Sequence, residues 1–156
     1  MANTNAICNS FKAELMLGAH QLGSVTIVSR TSLTAPTTDT INAALYLASA
    51  TVNASTTVYS STGEVANSGT YAAGGATVTN ATAPTNDTTG GYWTPSASLA
   101  WTGVSATAFD SVFFYNSTQG NRAIANYTFG SQTVVSGNIT LSMPANSSTT
   151  GLLRIV

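Results

Sequence analysis

The chain has 156 residues and a net charge of −1 at pH 7, and its apolar fraction of 43% is enough to build the core of a single domain. Only 6% of its residues are Asp, Glu, Lys or Arg, against about 25% in an ordinary soluble domain, so neutral Ser, Thr and Asn must cover much of its surface. Its four basic residues are scattered, which excludes the cluster of cations that phosphate binding requires, and we expect no nucleic acid among its partners.

The first predicted element is an α-helix within residues 1–23. Ile7, Phe11 and Leu15 recur at a spacing of four residues, which places them on one face of a helix, and Asn3 or the residue after it would cap the helix start. Such a helix could cover one end of the protein's own sheet. It could equally act as an arm that packs against other subunits.

After residue 23 the apolar pattern changes to the period of two that is typical of strands. It predicts strands at 25–29, 41–48, 76–79, 92–101, 111–115, 122–129, 138–143 and 152–156. The second of these is continuously apolar over 43–48, which indicates a central strand buried on both faces. A polar segment at 116–121 predicts a hairpin between its neighbours.

These elements predict a mainly β fold. We expect residues 24–156 to form an antiparallel β-sandwich of the jelly-roll type, preceded by the helix or arm of residues 1–23. Between the predicted strands, the polar stretch at 49–75 should form irregular loops with a short strand or two. Its glycine pair, Gly74 and Gly75, is typical of a turn with positive φ.

Groups that could carry catalysis or hold a metal are few. His20 is the only histidine and Cys8 the only cysteine, so a zinc site of the usual Cys/His composition cannot form within one subunit. A Ser-His-Asp triad would need His20 with Asp39 or Asp110, yet no serine lies in a Gly-x-Ser-x-Gly turn. We expect no enzymatic activity, no cofactor and no bound metal, with Cys8 as a small core residue.

The sequence also bears on location. It has no uninterrupted apolar run near the roughly 18 residues of a membrane span, and it lacks the basic start and apolar stretch of a signal peptide. A lone cysteine cannot form the internal disulfide that secreted β domains of this size often carry. We therefore expect no membrane partner and synthesis in a cytoplasm.

Two features concern binding. Copies of a protein with so little charge repel one another weakly, which favours a surface occupied by neighbours, although a compositional bias of the source organism would look the same. Four aromatic residues could form a platform for sugar rings, but in β proteins such side chains are more often core or interface anchors. They are Tyr92, Trp93, Trp101 and Tyr115.

Several segments resemble a family of small virion proteins of tailed bacteriophages. They are AICNSFKAEL at 6–15, AALYLA at 43–48, GEV at 63–65, GTY at 69–71, AGGA at 73–76 and YNSTQGNRA at 115–123. The resemblance spans most of the chain and lies in turns and strands. It implies a cement or decoration protein on the capsid exterior of the virion, made in the host bacterial cytoplasm, commonly a homotrimer, with the major capsid protein as its partner.

In that role the N-terminal residues Ile7, Phe11 and Leu15 would anchor the chain to its neighbours. Glu64 and Arg122 are candidates for an interface ion pair, because scarce charges in loops tend to specify register; the alternative is that both are solvated loop charges. A different hypothesis also stays open. Small β modules of this composition occur at tail tips and in fibres, where they bind a host receptor or glycan.

Overall fold

The computed structural model describes residues 3–8, 11, 15, 20, 22 and 38–155. Within these residues, regular structure is almost entirely β and antiparallel, as predicted. The strands are β1 (Ala6–Ile7), β2 (Ile41–Leu47), β3 (Ala76–Thr77), β4 (Thr85–Asn86), β5 (Gly91–Trp93), β6 (Leu99–Asn116), β7 (Arg122–Leu141) and β8 (Leu153–Ile155). They form a five-stranded sheet in the order β1-β7-β6-β2-β3 and a three-stranded sheet in the order β4-β5-β8.

β2 is the central strand that its continuous apolar run predicts. It pairs with β6 on one side and β3 on the other, and the residues from Ala43 to Tyr46 are buried on both faces. The predicted glycine turn lies beside it, since Gly75 has a φ of +72° and an ideal Cβ there would lie 1.9 Å from the carbonyl oxygen of Ala43. Only glycine therefore lets this turn approach β2 so closely.

β6 and β7 form the predicted hairpin around residues 117–121. They span 18 and 20 residues, far more than the five or six or so of an average strand, and their register shifts at five points. Bulges of this kind bend and twist a ladder, which lets the hairpin continue beyond Phe109, where its pairing with β2 ends. The segments predicted separately at 122–129 and 138–143 are therefore parts of one bulged strand.

The segment predicted as one strand at 92–101 is two strands instead. β5 ends at Trp93, β6 begins at Leu99, and the two belong to different sheets. Pro95 lies between them and has no backbone N–H to donate to a ladder, which explains the interruption.

No continuous N-terminal helix is seen in the described residues, and the first part of the predicted helix is wrong. Ala6 and Ile7 form β1, which pairs antiparallel with β7. Asn3 does not cap a helix, because its side-chain oxygen accepts the N–H of Val52 at 2.9 Å. Phe11 and Leu15 have helical backbone, but most of residues 9–21 lie outside the described residues.

One core cluster includes residues of both sheets. Phe113 and Ile124 from the large sheet belong to the same buried group as Trp93 and Leu153 from the small one, and Cys8 joins it as expected. The strand predicted at 25–29 and the boundary between residues 23 and 24 lie outside the described residues.

Candidate functional site

An apolar groove of about 360 Å³ lies between the N-terminal segment and the three-stranded sheet. The three residues expected to anchor a partner, Ile7, Phe11 and Leu15, all line it, opposite Trp93 and Leu153. Phe11 is buried, whereas Ile7 and Leu15 are half-buried. The structure thus brings the three together, but it packs them largely against the chain's own core.

Glu64 is buried in a cluster that we call the Glu64 cage, made of Glu64, Tyr59, Tyr71 and the backbone N–H of Gly74. The carboxylate accepts the Tyr59 hydroxyl at 2.5 Å, the Tyr71 hydroxyl at 2.8 Å and the Gly74 N–H at 2.7 Å. The Tyr71 oxygen also accepts the N–H of Leu45, which ties the cage to β2. Three donors compensate the carboxylate for its lost hydration, so the cage stabilises the loops over β2.

Burial raises the pKa of both tyrosines of the cage. For Tyr59 and Tyr71, desolvation is the largest cause, and the hydrogen bond to Glu64 acts in the same direction because a phenolate would repel the carboxylate. Desolvation likewise raises the pKa of Tyr127, whose hydroxyl donates to the carbonyl of Leu152. These hydroxyls therefore stay protonated, and act as donors, across the neutral pH range.

Arg122, the other candidate for an interface ion pair, lies in a different environment. It is exposed at the first position of β7, and its backbone forms an isolated bridge with Val58. Glu64 is buried and satisfied inside the cage. The structure therefore leaves Arg122 at the surface, where a neighbour could reach it, and places Glu64 inside.

The residues considered for a triad do not all come together. The amide of Asn116 donates to Asp39 Oδ2 at 2.6 Å and lies 3.0 Å from His20 Nδ1, while the Gln119 side chain donates to Asp39 Oδ1 at 3.2 Å. Asp110 accepts the Asn3 amide elsewhere. Asn116 thus links imidazole and carboxylate within the fold. Across the described part of the chain, no three His, Cys, Asp or Glu side chains group closely enough to hold a metal.

The aromatic residues considered as a sugar platform lie mostly inside. Trp93, Trp101 and Tyr115 are buried, and only Tyr92 is half-buried, at the groove. The Trp93 indole N–H is satisfied by the carbonyl of Thr82 at 2.9 Å. Buried rings cannot present a face to a sugar, so these residues are core anchors.

The outer edge of β7 from residue 129 to residue 141, which we call the β7 edge, is the longest open strand edge in the described structure. β1 pairs with β7 only at Ala125 and Asn126, and the side-chain oxygen of Asn5 then accepts the N–H and hydroxyl of Thr128. Beyond that point no described strand pairs with this side. The edge contains no Asp, Glu, Lys, Arg or Pro.

Apolar side chains accompany this open edge. Phe129 and Val135 are two of the four large apolar residues exposed among those described, and Val135 is 79% exposed. Beside them lies a concavity of about 440 Å³ whose apolar lining includes Phe109, Ile139 and Leu141. Sequence reasoning missed the β7 edge because its bulges break the period of two, although its lack of charge was a readable signal.

No helix in the described ranges is long and apolar enough to cross a membrane. Comparisons with protein-family models, with curated proteins and with solved structures found no match to this chain.

Proposed function

We propose that this chain is a structural virion protein of a tailed bacteriophage, a cement or decoration protein on the capsid exterior that stabilises the icosahedral head. Its partners in this proposal are the major capsid protein and further copies of itself. The observation that carries the proposal is the β7 edge, which no strand of the described residues covers and which has no charged residue. Sheets that stay monomeric commonly guard such edges with Lys or Pro, so an unguarded edge is suited to protein contacts.

The mechanism in this proposal is mechanical. Each buried Å² of apolar surface contributes roughly 25 cal/mol, and many identical contacts add up over a closed shell. The scarcity of charge supports it, because neutral surfaces pack together without the desolvation penalty that unpaired charges would incur. The carboxylates of Glu64 and Asp39 are held by hydrogen bonds that join loops to β2 and β6, which suits a rigid module better than a catalyst.

The finer architecture belongs to the same proposal. We infer a jelly-roll-like sandwich in which the two sheets stack, and the core cluster shared by both sheets supports it. The proposed oligomer is a homotrimer, as the resemblance to phage virion proteins implies. The N-terminal segment with Ile7, Phe11 and Leu15 would serve as the arm whose outer side meets the neighbour.

Copy number tests this function directly. Quantitative mass spectrometry of purified particles should find hundreds of copies of the chain for each particle, and particles that lack it should rupture at lower temperature or milder osmotic shock. Adding the purified chain back should restore the resistance. A count of a dozen or fewer, together with binding of the isolated chain to host cells or glycans, would contradict the cement function and support a tail-tip or fibre module.

A further inference from the structure

We infer that the β7 edge of one copy pairs antiparallel with the same edge of a second copy, over residues 137–141. The inference rests on the proposed function and deepens it, since it names the surface by which copies meet. A contact of this kind has twofold symmetry. It would join copies from different trimers, because contacts around a threefold axis use two unlike surfaces.

Residues 137–141 form the most regular part of the β7 edge. Between the partners of Ser111 and Phe109, β7 advances from Thr128 to Gln132, so residues 129–131 bulge. A second bulge at 135–136 includes Ser136, which has a φ of +46°. From Ile139 to Leu141 the ladder with β6 is uninterrupted. The shift between Trp101 and Val104 gives its extra residue to β6, so β7 itself has no inserted residue from Gly137 to Leu141.

The side-chain pattern of this segment is complementary to itself. Ile139 and Leu141 are half-buried on one face, whereas Asn138 and Thr140 are exposed on the other. Directly opposed residues of an antiparallel pair share a face. Pairing centred on Ile139 would therefore place Ile139 against its own copy, and Asn138 opposite Thr140 of the second copy.

The apolar face of this segment continues into the concavity beside it. Phe109, Phe129 and Val134 line that concavity together with Ile139 and Leu141. A second copy would extend the sheet and bring its own apolar row against the open side of the concavity. The pairing would thus bury apolar surface and also satisfy the backbone groups of the edge that no described strand pairs.

The lack of charge also favours a second copy of this chain as the partner of the β7 edge. Residues 129–141 carry no charged side chain, and each copy has a net charge of only −1, so two such edges meet without repulsion. A strongly charged partner strand would find no complementary charge on this edge. A copy of the same strand supplies the neutral polar and apolar pattern that the edge requires.

Like charges placed on the edge test the pairing. Asn138 and Thr140 are exposed, so Asn138→Lys/Thr140→Lys should leave the fold intact, as circular dichroism can check. In the paired state each new cation would lie opposite another, which is destabilising. Sedimentation of the purified full chain should show its mass doubling as concentration rises, because one twofold contact joins two monomers or, if the chain is already trimeric, two trimers. The double variant should weaken that step at least about tenfold.

A matched control adds the same charge elsewhere. Thr57→Lys/Thr88→Lys changes two exposed threonines outside β7 and should double in mass like the unaltered chain. Mixing the lysine variant with Asn138→Glu/Thr140→Glu should restore the doubling as a mixed species, because opposite charges then face each other. That rescue distinguishes pairing at this edge from a general effect on folding.

Two outcomes would overturn the inference: a chain that never doubles in mass, or edge variants that associate as the control does. Neither outcome decides the proposed function. A chain abundant in particles but indifferent to the edge variants would keep the cement function and remove the β7 pairing. A chain with few copies for each particle, whose lysine and glutamate variants nevertheless restore the doubling when mixed, would keep the β7 pairing and contradict the cement function.

Discussion

At Gly75 the backbone passes so close to β2 that a methyl group has no room. An ideal Cβ would lie 1.9 Å from the Ala43 carbonyl oxygen, and the φ of +72° is itself unfavourable for any other residue. Gly75→Ala should therefore lower the free energy of unfolding by about 2–5 kcal/mol, the sum of backbone strain and overpacking. Urea unfolding, followed by tryptophan fluorescence, measures this loss in the free energy of unfolding.

Gly120 supplies the control for Gly75. It has a similar φ of +67°, but an added Cβ would meet nothing within 4 Å. Gly120→Ala should cost only the strain of the left-handed conformation, about 1–2 kcal/mol. Equal losses in the two variants would show that the close approach to β2 contributes nothing.

The Glu64 cage predicts how stability depends on pH. The pKa of Tyr71 is raised by desolvation and by its hydrogen bond to Glu64, so above about pH 10 the unfolded chain loses this proton while the folded chain keeps it. The folded state then binds more protons, and stability falls as pH rises further, by up to about 1.4 kcal/mol per pH unit for one tyrosine. Tyr71→Phe should make this slope shallower.

A variant without a titratable group separates the slope from the general loss of packing. Val65 is buried beside Glu64, and Val65→Ala should lower the free energy of unfolding at every pH without changing its slope. The comparison is a series of urea titrations between about pH 9 and about pH 11. If the free energy of unfolding falls with pH as steeply in Tyr71→Phe as in Val65→Ala, Tyr71 is not a cause of the pH dependence.

At the scale of elements, the segment before β1 is held in place by hydrogen bonds of two asparagine side chains, Asn3 and Asn5. Asn3 is buried, donates to the Leu47 carbonyl and to Asp110, and accepts the N–H of Val52. Asn3→Ala should cost about 1–3 kcal/mol for each partner left unsatisfied, and should speed hydrogen exchange at the Val52 amide. Asn5→Ala is the control. Asn5 accepts two hydrogen bonds from Thr128 that are exposed to solvent, so water replaces them and the loss should be about 1 kcal/mol or less.

The sequence predicted an element correctly where a single local pattern was enough to define it. The apolar run of β2 and the polar turn of the β6–β7 hairpin are both local signals, and both are confirmed. The start of the predicted helix is wrong because the spacing of Ile7 and Phe11 does not exclude a strand at Ile7. What decided the outcome was pairing with β7, a contact more than a hundred residues away that no local pattern encodes.

The candidate site was predictable to a smaller extent. Ile7, Phe11 and Leu15 were identified by spacing and do lie together in the groove, although for a different structural reason. Glu64 was a candidate because charges are scarce in this sequence. Its partners, Tyr59 and Tyr71, could not be predicted, because the loops that carry them approach Glu64 only in the folded chain. The lack of charge on the β7 edge can be read from the sequence, but which strand lies outermost depends on long-range pairing and cannot.

For the whole molecule, the scarcity of charge predicts an association that salt hardly affects. Raising the salt concentration from about 0.1 M to about 1 M shortens the Debye length from about 10 Å to about 3 Å, which weakens contacts between exposed charges. Residues 129–141 carry no charge. The dissociation constant for the pairing of the unaltered chain should therefore change by less than about threefold over this range of salt concentration. The mixture of Asn138→Lys/Thr140→Lys with Asn138→Glu/Thr140→Glu supplies the contrast, because its association would depend on charge and should weaken clearly as salt rises. A steep salt dependence of the unaltered chain, measured by sedimentation, would show that charged residues such as Arg122 carry the contact instead.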